Sequence, residues 1–334
     1  MRFKKIGSSG PLVSQLGMGC LHFGIYLPQD QVMSLVSMAI DNGITFFDTA
    51  PIYGGNQSET LLGKAIVGKR DGIFISTKVG LEEIKNKEGM FSVQSIPLNK
   101  VLINKFVDSS LRMLAIEKID LLQLHAFNKQ TNFYELFLGI EELIYKEKID
   151  YFGVSNYDST ELISMIKCMP VSLRTRFITC QVHYNFLERR AEQEIFALCK
   201  ENSLGIIVNR VLARGLLGGK YSNSADFPSN SRAALSKRVA ESFTYDMLCV
   251  AEAVTDFSRR INRSPAEVVI NWTLKNDSVT TVLTGTRNEN QLKECINAFQ
   301  WLLDDDQFQD LEKILEKNLY QSKAKLAPLN FFEK

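Results

Sequence analysis

Short apolar runs alternate with longer amphipathic segments along almost the whole chain. Eight runs have strand length and strand composition: Leu16–Gly19, Thr45–Asp48, Ile73–Thr77, Ile119–Leu124, Tyr151–Val154, Phe177–Gln181, Gly205–Val208 and Val279–Leu283. Between them lie segments of helical character: Gln31–Asn42, Glu59–Val67, Lys100–Leu114, Phe133–Lys146, Ser159–Cys168, Ala191–Asn202, Met247–Ile261 and Asn290–Phe299. The segment from Lys100 places Val101, Phe106 or Val107, Leu111 and Leu114 on one face, a period of about 3.6 residues. Ser264-Pro265-Ala266-Glu267 combines an N-cap serine, a first-turn proline and a glutamate three residues on, and Asn288-Glu289-Asn290-Gln291 repeats that logic after the last strand. Before the first unit, residues 1–16 read as a hairpin turning at Ser8-Ser9-Gly10-Pro11. Strands this short and apolar suit a parallel sheet buried on both faces. Eight strand–helix units fit a closed (β/α)₈ barrel better than an open doubly wound sheet. Pro265–Lys275 and Asp305–Lys317 are then extra helices, and the lack of any linker predicts one domain over residues 1–334.

Composition narrows the class. The chain has 334 residues, 45% hydrophobic and 23% charged, as expected of a globular protein with a sizeable core. Lys+Arg 39 against Asp+Glu 38 leaves a net charge of +1, so no global field draws nucleic acid or an anionic membrane. No apolar run reaches the roughly 18–20 residues that span a bilayer, and Met1–Ile6 lacks a signal-peptide core. The six cysteines, Cys20, Cys168, Cys180, Cys199, Cys249 and Cys295, lie far apart without Cys-x-x-Cys or zinc-finger spacing. They read as free thiols in a reducing, cytoplasmic setting, and no metal site is expected.

Reactive groups of such a barrel come from the C-terminal ends of its strands. Those ends carry Asp48 and Tyr53 after the second strand, Lys78 after the third and His125 after the fourth. Ser155-Asn156 follow the fifth, Gln181 the sixth, Asn209-Arg210 the seventh and Gly285-Thr286-Arg287 the eighth. Taken singly these are ordinary turn formers, packing groups and solvated charges. Taken together they put an acid, a phenol, an amine and an imidazole at one barrel mouth. A phenol titrates at about 10 and is a poor acid unless its phenolate is stabilised. A neighbouring ammonium does that, and a carboxylate such as Asp48 keeps the buried Lys78 charged. An imidazole such as His125 can orient a carbonyl so that Tyr53 protonates its oxygen as a hydride arrives on carbon. Side chains carry no hydride, so a nicotinamide cofactor is implied, with Ser155, Asn156 and Gln181 suited to its carboxamide.

Phe47-Asp48-Thr49-Ala50-x-x-Tyr53-Gly54, Ser76-Thr77-Lys78, Leu122-Gln123-Leu124-His125, Gly153-Val154-Ser155-Asn156 and Gln181-Val182-x-Tyr184-Asn185 resemble the motifs of the aldo-keto reductases. So do Leu212-Ala213-x-Gly215-Leu216-Leu217-x-Gly219-Lys220-Tyr221 and Gly285-Thr286-Arg287-x-x-x-Gln291. The resemblance runs from the opening hairpin to about Phe299. It implies a (β/α)₈ barrel of NADP(H)-dependent carbonyl reductases and alcohol or sugar dehydrogenases. It also implies Tyr53 as general acid and base supported by Asp48, Lys78 and His125, and nicotinamide binding by Ser155, Asn156 and Gln181. Leu212 and the loop through Gly215 would follow the pyrophosphate, and Gly285, Thr286, Arg287, Gln291, Glu294 and Cys295 the adenosine end. The family commonly has a stacking aromatic residue and then serine where this chain has Asn209-Arg210, so Arg210 is expected to reach a phosphate or the ring face. Cys295 stands where an asparagine often meets the adenine. Arg287, a guanidinium that can fork onto phosphate oxygens, favours NADP(H) over NAD(H).

The substrate, a small carbonyl or alcohol, would meet walls from Cys20, Leu21, His22, Ile52, Phe127 and the loop Leu81–Leu98. Tyr221–Phe243 is either a lid on the cofactor or a surface excursion, and the apolar Leu326–Phe332 is expected to dock on the barrel or on another subunit. Two other readings compete: a Schiff-base aldolase using Lys78, which an ion-paired lysine disfavours, and a cofactor-binding regulatory subunit resembling the potassium-channel β subunits.

Overall fold

A computed structural model describes residues 1–85, 91–222, 226–229 and 231–319; the apolar tail Leu326–Phe332 lies outside them. The strands, in chain order, are β1 (Phe3–Lys5), β2 (Leu12–Ser14), β3 (Leu16–Gly19), β4 (Phe46–Asp48), β5 (Phe74–Val79), β6 (Leu81–Lys85), β7 (Phe91–Ser95), β8 (Ile119–Leu124), β9 (Ile149–Ser155), β10 (Phe177–His183), β11 (Gly205–Asn209) and β12 (Val279–Thr284). Eight of them close a parallel barrel in the order β3-β4-β5-β8-β9-β10-β11-β12, with β12 pairing back onto β3. Each of the expected strand runs is in it.

Strand periodicity explains how one barrel holds both a core and a site. Side chains two residues apart share a face. The inward face carries Phe46, Phe74, Leu121, Ile178, Ile207 and Leu283, which pack with Ile6 and Val13 into a separate buried cluster. Ile6 follows β1 and Val13 lies in β2, so the antiparallel opening hairpin plugs the barrel floor. Fully burying a side chain of this size contributes roughly 1.5–3 kcal/mol. Two residues further along, the same face turns polar: Phe46 leads to Asp48, Phe74 to Ser76 and Lys78, Leu121 to Gln123 and His125. The larger apolar cluster lies outside the strands, under the helices.

Helices form where the amphipathic pattern placed them, and Lys100–Leu114 and Ser159–Cys168 agree to the residue. The Ser264 capping box is present; Asn288 caps its helix through Gln291 N, but the Gln291 side chain turns back to Arg287 N at 2.8 Å. Three segments differ from expectation. Ala191–Asn202 is two helices, Arg190–Glu194 and Phe196–Glu201, broken at Ile195 (φ −110°), and both Ile195 and Phe196 reach the core. Leu81–Leu98 is no plain loop: β6 and β7 pair antiparallel with Leu81 opposite Ser95. Within Tyr221–Phe243 the chain forms two short helices, Arg232–Leu235 and Lys237–Glu241, each capped by a serine hydroxyl.

Candidate active site

The turn after β4 sets the phenol. Thr49 N donates to Ser76 O (2.8 Å) and Tyr53 N to Ala50 O (3.0 Å), while Ser58 Oγ ties the turn to Cys20 O at 2.8 Å. Gly54 sits at φ +63°, where a Cβ would stand 1.6 Å from Phe23 O. Only glycine fits that close approach, so the residue beside Tyr53 is dictated by backbone contact.

Asp48 and Lys78 form a buried ion pair at 2.5 Å, with Lys78 Nζ also donating to Thr49 O at 3.0 Å. Register explains their meeting: Asp48 pairs with Ser76 across β4–β5, and Lys78, two residues on, shares its face. The other carboxylate oxygen, Asp48 Oδ1, accepts from Ser76 Oγ (3.0 Å), Gln123 Nε2 (3.0 Å) and Gln181 Nε2 (3.1 Å). Lys78 Nζ lies 4.8 Å from the Tyr53 ring centroid, and Tyr53 Oη is 3.5 Å from His125 Nε2. Burial works against the Lys78 charge, but Asp48 and the Tyr53 oxygen outweigh it and raise its pKa. His125 is held far below its ordinary value by burial and by the Lys78 charge, so its imidazole is neutral. For Tyr53 the balance differs from the simple expectation. Burial raises the phenol more than Lys78 lowers it, so the ammonium limits the rise without reversing it.

Asn156 adopts a left-handed backbone (φ 58°) and donates to His125 O (2.9 Å) and Ser155 Oγ (3.0 Å). Its Oδ1 is buried without a partner among the described residues. Gln181 Oε1 accepts from Ser155 Oγ (3.3 Å) and Asn209 Nδ2 (3.1 Å), while its Nε2 is committed to Asp48. Gln181 therefore joins the amide cluster to the acid. Asn209 also contacts His183, whose imidazole is held down to about 3 by burial and by Arg210. Arg210 itself is lowered to about 9 by burial and by Arg214, while Glu188 and Tyr53 pull it back. Its charge also acts on Tyr53, lowering the phenol slightly. Leu212 O anchors the following turn, accepting from Gly215 N (2.8 Å) and Leu217 N (3.2 Å).

Beyond β12, Thr286 is buried with Oγ1 unpartnered among the described residues, and the Arg287 guanidinium stands 5.2 Å over the Tyr26 ring. Burial raises the pKa of Glu294. Cys295 is buried and packs in the apolar core, its thiol pushed up to about 12 by burial. Leu21 is exposed, Ile52 half-buried, and half-buried Phe127 meets Tyr157 edge-on at 5.5 Å. His22, expected in the substrate wall, lies on the Arg287 side, against Gly285.

Sequence reasoning assigned no role to Ser76, Gln123, Glu59, Tyr26, Lys220 or Arg232. Ser76 and Gln123 could have been found by stepping two residues back from Lys78 and His125 along each strand. Glu59 accepts from Thr77 Oγ1 at 2.6 Å behind Lys78, and burial raises its pKa. Tyr26 and Lys220 are brought in by loops and Arg232 by a four-residue helix, none of which carries a periodic signal.

Comparison with known proteins agrees with this fold. The model of the Aldo/keto reductase family matches residues 15–316. The chain is 30% identical over 315 residues to the uncharacterized oxidoreductase YrpG of Bacillus subtilis (strain 168), covering 91% of this chain and 93% of that one. It is 28% identical to the aldo-keto reductase yakc [NADP(+)] of Schizosaccharomyces pombe, covering 90% and 88%. Among solved structures it is similar to the glycerol dehydrogenase AKR11B4 from Gluconobacter oxydans, with a TM-score of 0.79 and 25% identity over 95% of this chain and 96% of that one.

Proposed function

Because the chain belongs to the aldo/keto reductase family of oxidoreductases, we propose that its barrel mouth exchanges a hydride between NADP(H) and a small carbonyl or alcohol, with Tyr53 as general acid and base. The observation that carries this reading is the convergence of Asp48, Lys78, Tyr53 and His125 at three adjacent strand ends. Neutral His125 can hydrogen-bond the substrate oxygen and hold it beside the phenol. In the reducing direction Tyr53 gives its proton to that oxygen, and the Lys78 ammonium stabilises the phenolate left behind. In the oxidising direction the phenolate takes the proton back, so the same groups serve both.

Aldo-keto reductases use nicotinamide cofactors, and the dinucleotide supplies the hydride that side chains lack. The residues present suit such a group. Asn156 Oδ1 is a buried acceptor wanting an N–H donor, as a carboxamide offers, and Thr286 Oγ1 is a buried hydroxyl with no partner among the described residues. Arg210, Arg214, Lys220 and Arg232 follow β11 and Arg287 follows β12, and their mutual fields suit a polyanion. This cation excess, together with the NADP(+) in the name of the Schizosaccharomyces relative, favours NADP(H) over NAD(H).

The direct test is Tyr53→Phe, assayed with NADPH and a panel of aldehydes and ketones and with NADP and alcohols. Turnover should fall about 10²–10⁴-fold, the range of a lost general acid, while the dissociation constant for NADPH changes by less than about twofold, since uniform binding is untouched. An unchanged rate removes Tyr53 from the chemistry. NADPH binding without any turnover in the unsubstituted protein would favour a regulatory role.

A further inference from the structure

The loop after β3 carries a histidine that hydride transfer does not use. His22 is only 8% exposed, and its Nδ1 is buried with no hydrogen-bond partner among the described residues. Tyr26 N and Leu27 N both donate to His22 O (3.1 and 3.2 Å), closing a tight loop, and the Tyr26 ring meets the imidazole edge-on at 5.2 Å. The Cδ2–Nε2 edge of the ring lies on Gly285, where a Cβ would stand 3.2 and 3.3 Å from those atoms. Nδ1 is the opposite vertex of the ring and so points away from that contact.

Three cations from three different elements act on this imidazole: Lys220 beyond the turn at Gly219, Arg232 at the start of its short helix, and Arg287 after β12. Tyr26 is the remaining titratable group against it, and Arg287 is stacked over that ring at 5.2 Å. Lys220 and Arg232 are themselves lowered, first by burial and also by Arg287. Gathering like charges in a half-buried place is unfavourable unless an anion joins them.

We propose that His22 is a ligand of a dinucleotide phosphate, binding it together with Lys220, Arg232 and Arg287, and that it takes up a proton when the phosphate arrives. The proposal rests on the NADP(H) reading and adds to it a contact and a proton linkage. Without the anion, burial and the three cations hold the imidazole neutral, at about 4. A phosphate oxygen accepting from Nδ1–H supplies the missing partner and replaces repulsion by attraction, which favours the imidazolium. The sign follows. A group whose pKa rises on binding makes binding tighter at low pH, and that advantage is lost as pH climbs through the bound-state value. Each pH unit of rise corresponds to about tenfold in affinity.

The test reads His22 by proton–carbon NMR, since the chain has three histidines and the His22 signal is the one lost in His22→Asn. Between about pH 5 and pH 7 the free protein should show a neutral, non-titrating His22, whereas the protein saturated with NADPH should show it titrating, a rise of about one to two on the pH scale. Repeating the titration with NADH identifies the anion: the effect with NADPH alone assigns the 2′-phosphate, the effect with both assigns the pyrophosphate, and either supports the proposal. The NADPH dissociation constant of His22→Asn should be about two- to tenfold weaker than that of the unsubstituted protein near pH 5 and equal to it near pH 8. A saturated complex in which His22 remains neutral and non-titrating overturns the proposal while leaving the functional reading intact. Failure of both dinucleotides to bind overturns the functional reading and this one with it.

Discussion

Replacing Asp48 by asparagine should cost far more than its near-identical shape suggests. Four donors converge on this carboxylate: Lys78 on Oδ2, and Ser76, Gln123 and Gln181 on Oδ1. An amide has one acceptor end. Turned to keep the three neutral donors, the substituted amide would aim its NH₂ at the Lys78 ammonium; turned the other way, it would face three donors with hydrogens. The first arrangement loses less, and it leaves a buried ammonium with no carboxylate, held by Thr49 O and the Tyr53 oxygen. Removing one partner of a buried pair costs about 3–5 kcal/mol. The upper bound can be derived separately. Lys78 escapes by losing its proton, which at pH 7 costs at most about 5 kcal/mol, about 1.4 kcal/mol for each pH unit below its ordinary 10.5. That escape fixes the pH dependence. In the unsubstituted protein Lys78 is charged folded and unfolded alike, since its folded pKa is raised, and it adds no slope below its ordinary value. In Asp48→Asn the folded pKa is depressed, the unfolded chain binds the extra proton, and stability rises with pH by up to about 1.4 kcal/mol per unit. Urea unfolding of both proteins at pH 7, 8 and 9 measures this directly. The difference should start near 3–5 kcal/mol at pH 7 and be smaller at pH 9, shrinking by up to about 1.4 kcal/mol per pH unit once pH passes the lowered Lys78 pKa. A difference below about 1 kcal/mol, or one independent of pH, would refute the buried pair.

Other consequences are as specific. All three histidines are held below their ordinary 6.5, in each case by burial first: His22 to about 4, His183 to about 3, and His125 well below its ordinary value. The unfolded chain therefore binds protons that the native state refuses, and stability, level above pH 6.5, should fall below it by up to about 1.4 kcal/mol per pH unit for each histidine; a flat urea midpoint from pH 7 to pH 5 would contradict this. Gly54→Ala forces a Cβ onto Phe23 O at a left-handed φ, so a loss of more than about 2 kcal/mol is expected, with turnover falling as Tyr53 is displaced; full stability and activity would show that the loop gives way. Arg287→Ala should weaken NADPH binding by about 10–100-fold and NADH binding much less, as loss of a charge-assisted phosphate contact predicts. Equal weakening of both would move Arg287 away from the 2′-phosphate.

Legibility along this chain follows the range of the interactions. Lys100–Leu114 could be bounded from sequence because its apolar period and the Asn99 cap act within a few residues. The hairpin Leu81–Lys85 with Phe91–Ser95 was missed although Phe91-Ser92-Val93-Gln94-Ser95 alternates, because so short a pattern also suits a loop. Asp48, Tyr53, Lys78 and His125 were recognisable as strand-end groups within motifs, but Glu59 reads in sequence as one more charge on a helix. Only the fold puts it beside Thr77.

The sequence by itself determined the barrel and the residue types at its mouth, since a period of two along each strand sends apolar side chains to the floor and polar ones to the rim of the same face. It could not determine the balance of forces there. Whether Lys78 lowers the Tyr53 phenol outright or merely limits its rise depends on burial from every side. Whether Gln181 serves a carboxamide or Asp48 depends on which amide edge meets the acid across the barrel. Whether His22 belongs with a substrate or with Lys220, Arg232 and Arg287 depends on three segments about two hundred residues away along the chain. Such distances exist only in the tertiary structure, because desolvation and charge act through space and closing the barrel decides which groups share it.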